Sequence, residues 1–284
     1  MNTYKCRCCG SNDTKDMGAL PEQIYFAGKL LNPILPASHL YKCEACLMLA
    51  RHPILTPIEY NKLYANAEAT VWSSGSQALR PDQELVLKII NDKKINNCKI
   101  LDVGCYTGEL LAALSDEYLK FGVEMSDKAA MLTKEKNIEI IGSDLYRINS
   151  NNKFDIVVAI DVIEHTQNPE EFLLNLIKLL NSSGEVIIST GNTDNWMWRL
   201  LKNKFWYSSF PEHISFIGES WLKKFCEERK ITITTMTRFN YIAYSPVSIV
   251  KNGIKTALSI LGIRSVGYSN TTEDHFCFSL KVNK

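Results

Sequence analysis

Apolar runs alternate with amphipathic segments along the chain from residue 99 to residue 190. Short runs rich in β-branched residues, such as KILDV, FDIVVAI and GEVIIST, predict buried strands. The segments between them, such as ELLAALS and PEEFLLNLIKLLN, have the apolar spacing of helices. Continuously apolar strands separated by helices are typical of a parallel sheet that is covered on both faces. The pattern therefore predicts an α/β fold, with a final strand, DHFCFSLKV, antiparallel beside the fifth strand.

The first connection from strand to helix has the composition of a ligand-binding loop. Asp102 stands near the end of the first strand, and Gly104 and Gly108 follow it four residues apart. Two glycines permit a tight turn and a close approach of the backbone to a ligand. A nicotinamide dinucleotide enzyme would carry G-x-G-x-x-G here, whereas this loop reads GCYTG with Tyr106 in the middle. An acid ahead of the glycines suits a cationic amino acid headgroup better than a phosphate.

An acidic residue stands at the end of each of four successive predicted strands. These residues are Asp102, Glu124, Asp144 and Asp161. Ligands of open α/β sheets lie beyond the carboxyl ends of the strands, where Glu124 is placed to accept hydrogen bonds from ribose hydroxyls. Asp144 is placed to accept from an adenine amino group. A helix cap is the alternative for a single acid, but the repetition at four strand ends favours a binding rim.

The motifs ILDVGCYTGELL, GVEMSD, GSD and FDIVVAIDVIEH together resemble the class I S-adenosylmethionine-dependent methyltransferases, across residues 97 to 240. The resemblance implies a Rossmann-like sheet of seven strands and S-adenosylmethionine (SAM) as cofactor. It implies that the methionine part lies by the glycine loop, the ribose by Glu124 and the adenine by Asp144. The cofactor-binding residues that it implies are Asp102, Gly104, Cys105, Gly108, Glu124, Met125, Asp144, Leu145 and Asp161.

Two histidines are candidates for the catalytic base. His165 ends the DVIEH segment after the fourth strand, and His213 lies in the aromatic stretch FWYSSFPEHISFIG. The methyl group of a sulfonium is already activated, so the enzyme has chiefly to orient the acceptor and take its proton. We predict that His213 is the base and that His165 positions the acceptor. At each position a hydrogen-bonded structural histidine is the alternative.

Two matched C-x-x-C pairs stand near the N terminus, in YKCRCC and YKCEAC. The predicted metal ligands are Cys6, Cys9, Cys43 and Cys46. Four thiolates are the ligand set of structural Zn²⁺ and leave no open coordination position for chemistry. Cys8 is an alternative ligand in the first pair, His39 and His52 are rivals, and free buried thiols are the other interpretation. Because this segment has little hydrophobic periodicity, metal binding would supply its folding energy.

We expect three regions: a zinc-binding domain over residues 1–55, a helical linker or lid over 56–96, and the methyltransferase domain over 97–284. Insertions at about 192–218 and 241–268 would cap the substrate. In the first, the aromatic and basic stretch 195–210 predicts either a lid or a packed helix with a basic face. The SSGS sequence at 73–76 predicts a hinge or a plain linker.

One helical face of residues 245–265 is apolar. This face predicts packing against the sheet of the same chain or against a second subunit in a homodimer. Contact with a membrane surface is the alternative.

Charge and hydropathy narrow the classes of partner. Basic and acidic residues nearly balance in the first 60 residues, which argues against a nucleic acid as partner. Basic residues outnumber acidic ones in 196–264, which would favour an anionic substrate. No apolar run is long enough for a membrane span and no leader is recognisable, so we expect a cytoplasmic protein.

The cysteine pairs ahead of the methyltransferase motifs also resemble a narrower branch, the bacterial methyltransferases that act on sugars. This resemblance implies a sugar or nucleotide-sugar acceptor, with O-methylation in polysaccharide or glycan biosynthesis. The alternatives are an rRNA or tRNA methyltransferase, and a noncatalytic binding module that keeps the fold as a scaffold.

Overall fold

A small β module and two helices precede residue 97 in the computed structural model, which describes residues 4–65, 79–241 and 273–282. In chain order these elements are β1 (Thr14–Leu20), β2 (Gln23–Phe26), β3 (Lys29–Leu35), β4 (Ser38–Cys43), β5 (Leu49–His52), α1 (Pro57–Ala65) and α2 (Pro81–Asp92). Strands β1, β4 and β5 pair antiparallel, and β2 with β3 forms a separate hairpin. Both helices begin at a proline, whose fixed φ suits the first helical turn.

The rest of the chain alternates strands and helices as predicted. The strands are β6 (Lys99–Val103), β7 (Leu119–Val123), β8 (Glu139–Gly142), β9 (Phe154–Ile160), β10 (Leu180–Gly191), β11 (Ser215–Phe216), β12 (Ile231–Phe239) and β13 (His275–Val282). The helices are α3 (Glu109–Ala113), α4 (Asp127–Lys134), α5 (Pro169–Lys178), α6 (Trp196–Leu201) and α7 (Glu219–Arg229).

Seven strands form one mostly parallel sheet in the order β12-β13-β10-β9-β6-β7-β8. This confirms the predicted Rossmann-like, seven-stranded α/β fold. Strand β13 pairs antiparallel with β10, as expected for the DHFCFSLKV segment. The sequence did not predict β12, because this edge strand is threonine-rich and mostly exposed, so it has no buried apolar face to generate a pattern.

Apolar side chains cover both faces of the central sheet. On one face α5 buries Phe172, Leu173 and Leu176 against the strands, and on the other α2 buries Val86 and Ile90. Each fully buried side chain of this size contributes about 1.5–3 kcal/mol. The two helical layers fix the sheet, so the loops at its carboxyl edge are held by a packed core.

The β module and the alternating part of the chain share a second sheet. Its strand order is β1-β4-β5-β11, and β11 comes from beyond the fifth strand of the central sheet. Ser215 pairs with Ala50, and Phe216 pairs with Leu49. The segment that carries His213 therefore enters this second sheet two residues after the histidine.

Several predictions concern residues outside the described ranges. These are the hinge or linker at 73–76, the apolar face over 245–265 with its subunit and membrane alternatives, and nearly all of the insertion at 241–268. Within the described ranges, no helix is long and apolar enough to cross a bilayer.

Candidate active site

A cavity of about 2180 Å³ opens at the carboxyl edge of the central sheet. Its walls come from the loops after β6, β7, β8 and β9, from α1, and from the β module. All four predicted rim acids line it, namely Asp102, Glu124, Asp144 and Asp161. The strand order places these acids on adjacent strands, so the structure brings together groups that lie up to 59 positions apart.

The loop between β6 and α3 has the tight path that its glycines predict. Gly104 and Gly108 have φ values of +75° and +78°. A Cβ on Gly104 would lie 2.6 Å from Val162 Cγ2. Tyr106 also adopts a left-handed φ of +50°, a conformation that is costly for a residue with a side chain. Its carbonyl accepts a hydrogen bond from Thr133 Oγ1 (2.7 Å), which helps to offset the strain of that conformation.

Glu124 is fixed by two backbone amides. The N–H of Tyr106 donates to its Oε2 (2.8 Å), and the N–H of Ser126 donates to its Oε1 (2.7 Å). Burial raises the pKa of Glu124, and these hydrogen bonds oppose that rise. A carboxylate held in this way at the cavity wall is preorganised to accept the paired hydroxyls of a ribose.

Asp102 is almost completely buried beside Glu124. Burial and the charge of Glu124 raise the pKa of Asp102 to about 7, while Arg80 opposes the rise. A second acid in a low-dielectric pocket is costly until a cation enters. The loop therefore has an unmet preference for positive charge, as the ammonium of an amino acid headgroup would supply.

Asp161 belongs to a partly buried ionic cluster with Arg80 and Asp82. Arg80 donates to both carboxylate oxygens of Asp82 (3.1 and 2.8 Å) and approaches Asp161 Oδ2 (3.4 Å). Asp161 Oδ1 is buried and has no hydrogen-bond partner in the described part of the chain. Burial and the charge of Asp82 raise the pKa of Asp161. Sequence reasoning missed Arg80, whose place directly before the first proline of α2 was the only available signal.

Asp144 and its neighbours form the far end of the rim. Asp144 Oδ1 accepts the N–H of Tyr146 (3.0 Å), so this acid does cap the short 3₁₀ turn after β8 while lining the cavity. Leu145 is buried and Met125 is exposed, and both line the cavity near Asp144 and Glu124. Cys105 is buried at the base of the glycine loop.

The structure brings the two candidate histidines into contact. The ring centroids of His165 and His213 are 5.0 Å apart, although 48 positions separate them. His213 Nδ1 lies 2.9 Å from the carbonyl oxygen of Tyr207, which can only accept, so Nδ1 carries the proton. The Nε2 of neutral His213 therefore keeps its lone pair. Burial and the neighbouring His165 lower the pKa of His213, which keeps the ring neutral.

His165 is oriented from two sides. Its Nδ1 lies 2.9 Å from the hydroxyl of Tyr64 and 3.0 Å from the carbonyl oxygen of Glu212. Tyr64 comes from α1, which lies in the segment 56–96 that the sequence predicts to be a helical linker or lid. The ring is therefore held by the segment before the central sheet and by the loop that carries His213.

Glu164 also lies near the histidine pair, and one atom from each of Glu164, His165 and His213 falls within 4.8 Å of the others. Glu164 accepts hydrogen bonds from the hydroxyl of Tyr207 and from Thr190 Oγ1, and it is not part of the cavity wall. Both of its oxygens are thus engaged behind the wall, and we assign it to support of Tyr207 rather than to ligation.

Glu212 is a site residue that sequence reasoning missed. Its Oε1 accepts the N–H of Ala27 at the tip of the β2–β3 hairpin, and its Oε2 is buried without a partner in the described residues. The side chain lines the cavity beside Tyr64. Its position directly before His213 in the FPEH sequence was the available signal.

The aromatic stretch 195–210 is largely core. Trp198, Phe205 and Tyr207 are buried together in one cluster with residues of the β module. Trp206 and Phe210 line the cavity, together with Tyr25, Tyr60, Tyr64 and Tyr241 from other segments. The part of the cavity away from the sheet is therefore walled largely by rings, while the part at the strand ends is walled by acids.

The four cysteines of the two C-x-x-C pairs converge. Cys6 Sγ lies 3.6 Å from Cys46 Sγ, Cys9 Sγ lies 3.6 Å from Cys43 Sγ, and all four sulfur atoms lie within 4.8 Å of one another. Tetrahedral coordination at a Zn–S distance of about 2.3 Å requires sulfur atoms about 3.8 Å apart. The donor set and its spacing therefore fit a Zn²⁺ ion.

The three rival ligands lie outside this set. Cys8 Sγ points to Glu170 Oε2 (3.9 Å), and His39 Nδ1 pairs with Asp16 (2.8 Å). His52 packs at a tilted angle to the ring of Tyr4.

Sequence comparison places the chain among known methyltransferases. The family described as "Methyltransferase domain" matches residues 73–235. The ubiquinone biosynthesis O-methyltransferase of Rickettsia akari is 34% identical over 110 residues, which cover 36% of this chain and 43% of that protein. The protein of the same name from Rickettsia conorii is 34% identical over 114 residues, which cover 37% of this chain and 38% of that protein. The match thus spans less than half of the length of these curated relatives.

Solved structures share the fold. The magnesium protoporphyrin IX methyltransferase of Synechocystis with bound S-adenosylhomocysteine covers 81% of this chain and 89% of its own, with a TM-score of 0.50 and 14% identity. Coclaurine N-methyltransferase, bound to N-methylheliamine and S-adenosylhomocysteine, covers 80% and 81%, with a TM-score of 0.51 and 15% identity. At such identities the likeness shows the fold alone.

The predicted sugar or nucleotide-sugar acceptor is wrong, because the relatives are named for ubiquinone biosynthesis, which points to a non-sugar substrate. The sugar acceptor was predicted from the cysteine pairs ahead of the methyltransferase motifs, and these cysteines do not line the cavity. The noncatalytic alternative is also wrong. A family match over more than half of the chain, a rim of acids and a shared fold lead to one conclusion: the chain belongs to the class I S-adenosylmethionine-dependent methyltransferases.

Proposed function

We propose that this enzyme transfers a methyl group to a hydroxyl of a ring-bearing, non-sugar small molecule. The observation that carries the proposal is the neutral His213, whose Nδ1 is tied to the carbonyl of Tyr207 and whose Nε2 is left as an acceptor at the cavity. The aromatic walls of the acceptor end support a flat, apolar substrate, because rings stack on rings with little loss of entropy. The names of the Rickettsia relatives support O-methylation.

We assign the cofactor to the rim of acids. Asp102, with the backbone of Gly104 and Gly108, would hold the methionine part, and Glu124 would hold the ribose. Asp144, with Leu145 and Met125, would border the adenine, while Cys105 and Asp161 complete the pocket. When bound, SAM supplies a methyl group that is already activated by the sulfonium charge.

The residues of the chain then have three tasks. Tyr64 and the carbonyl of Glu212 hold the His165 ring, which in turn packs against His213. His213 Nε2 takes the proton of the acceptor hydroxyl as the new bond to carbon forms, so that no free alkoxide has to exist. The aromatic walls exclude water, which would otherwise compete for the proton.

We also propose that residues 1–55 form a zinc-binding domain, with Cys6, Cys9, Cys43 and Cys46 as ligands. The sulfur distances given above support this assignment. Four thiolates leave no open position, so the role of the ion would be structural.

A methyl-transfer screen tests the function. The protein is incubated with SAM carrying a deuterated methyl group and a panel of phenols, catechols and quinols, and the products are read by mass spectrometry. We expect transfer to a ring hydroxyl by the wild type, and a rate lower by about 10²- to 10⁴-fold in His213→Gln. SAM affinity, measured by calorimetry, should stay within about twofold because the cofactor rim is intact. His39→Gln, which changes an exposed histidine paired with Asp16, is the matched control. Equal rates in His213→Gln and the control would remove His213 from this role.

A further inference from the structure

We propose that Arg51, on strand β5 of the N-terminal module, is a positioning residue that sets the orientation of the catalytic His213. The inference rests on the proposed function of His213. It assigns a task in catalysis to a module whose cysteine pairs had suggested only a structural purpose.

Arg51 is buried, and its guanidinium is used entirely on neutral oxygen atoms. Nε donates to the carbonyl of His213 (3.1 Å), and Nη2 donates to the carbonyls of Ser208 (2.7 Å) and Phe210 (2.9 Å). Nη1 donates to Ser38 Oγ (3.0 Å) on the neighbouring strand β4. Burial lowers the pKa of Arg51 to about 10, so the group is still charged at neutral pH. Burying a cation is costly, and the three carbonyls in one loop, together with the nearby charge of Glu212, compensate for it.

These contacts reach both ends of the short segment that determines where the His213 ring points. One end is the carbonyl of Tyr207, which receives the proton of His213 Nδ1. Arg51 binds the very next carbonyl, that of Ser208, and also the carbonyl of His213 itself. A single side chain therefore clamps the backbone on either side of the hydrogen bond that fixes the imidazole.

The clamp is reinforced from the same module. The backbone N–H of Arg51 donates to the carbonyl of Ile214 (2.9 Å). Arg7, which stands between two of the paired cysteines, donates to the carbonyls of Ile214 (2.8 Å), Arg51 (2.8 Å) and Gln167 (3.3 Å). Hydrogen bonds thus lead from Arg7, which lies between Cys6 and Cys9 in the chain, through Arg51 on β5 to His213.

Arg51 acts on His213 through its positive charge as well as through its hydrogen bonds to the backbone of the loop. The titratable and charged groups around the ring are Arg51 on β5, Glu164 and His165 after β9, His275 on β13 and the adjacent Tyr207. Burial lowers the pKa of His213 most, followed by His165, and Arg51 lowers it further. Removal of Arg51 would both loosen the loop, which lets water reach the ring, and withdraw a positive charge. Both changes raise the pKa of His213.

The test uses NMR of full-length protein labelled with ¹³C at histidine Cε1, which requires no acceptor. The chain has five histidines, and His213→Gln identifies the resonance of interest. Arg51→Met is compared with Arg51→Lys, which keeps the charge but not the planar fork. Arg199→Met is the matched control, because Arg199 is exposed and pairs only with Asp194 among the described residues. SAM affinity by calorimetry and thermal unfolding are measured for every variant.

We expect the titration midpoint of His213 in Arg51→Met to rise by about half a pH unit or more, with a smaller rise in Arg51→Lys and none in Arg199→Met. SAM affinity should stay within about twofold in all three. A merely structural role would lower the unfolding temperature without moving this midpoint. If Arg51→Met fails to fold, Arg51→Lys carries the same readout. Folded variants that bind SAM and show the wild-type His213 titration would overturn the inference alone. A wild type that does not bind SAM would overturn the proposed function, and the inference with it.

Discussion

Asp102 should make the affinity for SAM depend on pH. Its carboxyl is buried beside Glu124, and burial with that charge raises its pKa to about 7. Binding of the methionine ammonium places a cation next to Asp102 and lowers its pKa towards the ordinary value of 3.8. A carboxyl that is protonated in the free enzyme must therefore release its proton when SAM binds, so affinity falls as pH decreases below 7.

The size of the effect follows from the ionised fraction of Asp102 in the free enzyme. With a pKa of about 7, that fraction rises from about one tenth at pH 6 to about one half at pH 7, so the Kd for SAM falls roughly fivefold. This change corresponds to about 1 kcal/mol. The same linkage releases close to one proton per SAM at pH 6 and about half of one at pH 7.

Calorimetry measures both quantities. Titrations at pH 6 and pH 7, in buffers of different ionisation enthalpy, give the Kd and the number of protons released. Asp102→Asn should bind SAM more weakly and lose the dependence on pH over this range, since an amide does not ionise. Asp116→Asn, at a fully exposed acid, is the control and should behave as the wild type. A flat wild-type profile, or a slope that survives in Asp102→Asn, would refute the reasoning.

Three further changes test the rim and the cysteine cluster. Glu124→Gln should raise the Kd for SAM by about tenfold or more in calorimetry, because a charged acceptor contributes about 1.5–3 kcal/mol to such hydrogen bonds; an unchanged Kd would contradict the ribose assignment. Cys43→Ser should lower both bound zinc, measured by elemental mass spectrometry, and the unfolding temperature, whereas Cys8→Ser should lower neither. Gly104→Ala should reduce the free energy of unfolding in urea by at least about 1–2 kcal/mol, because φ is +75° and its Cβ would meet Val162 Cγ2 at 2.6 Å; wild-type stability would show that the loop can change its path.

The sequence by itself determined the features that follow from local patterns. Alternating apolar runs predicted a central parallel sheet. Strands and helices differ in the spacing of their apolar residues, and either spacing can be recognised within a short stretch of sequence. The acids at the strand ends and the two C-x-x-C pairs were equally readable, since each combines a residue type with a fixed spacing. All four rim acids line one cavity, and all four cysteines meet in one cluster.

Only the tertiary structure decided which distant residues meet. His165 contacts His213, and Arg51 of the N-terminal module donates hydrogen bonds to the loop that carries His213. These contacts join segments whose sequence patterns are unrelated. Arg80 and Glu212 were missed although each stands beside a recognisable signal in the chain, since such a signal does not reveal which distant residue a side chain faces. The acceptor was misjudged because the recognisable motifs lie in the loops between successive strands and helices, which form only one half of the cavity. These motifs carry no information about the other half. The other half is assembled from loops whose positions depend on packing, and packing is a property of the whole chain.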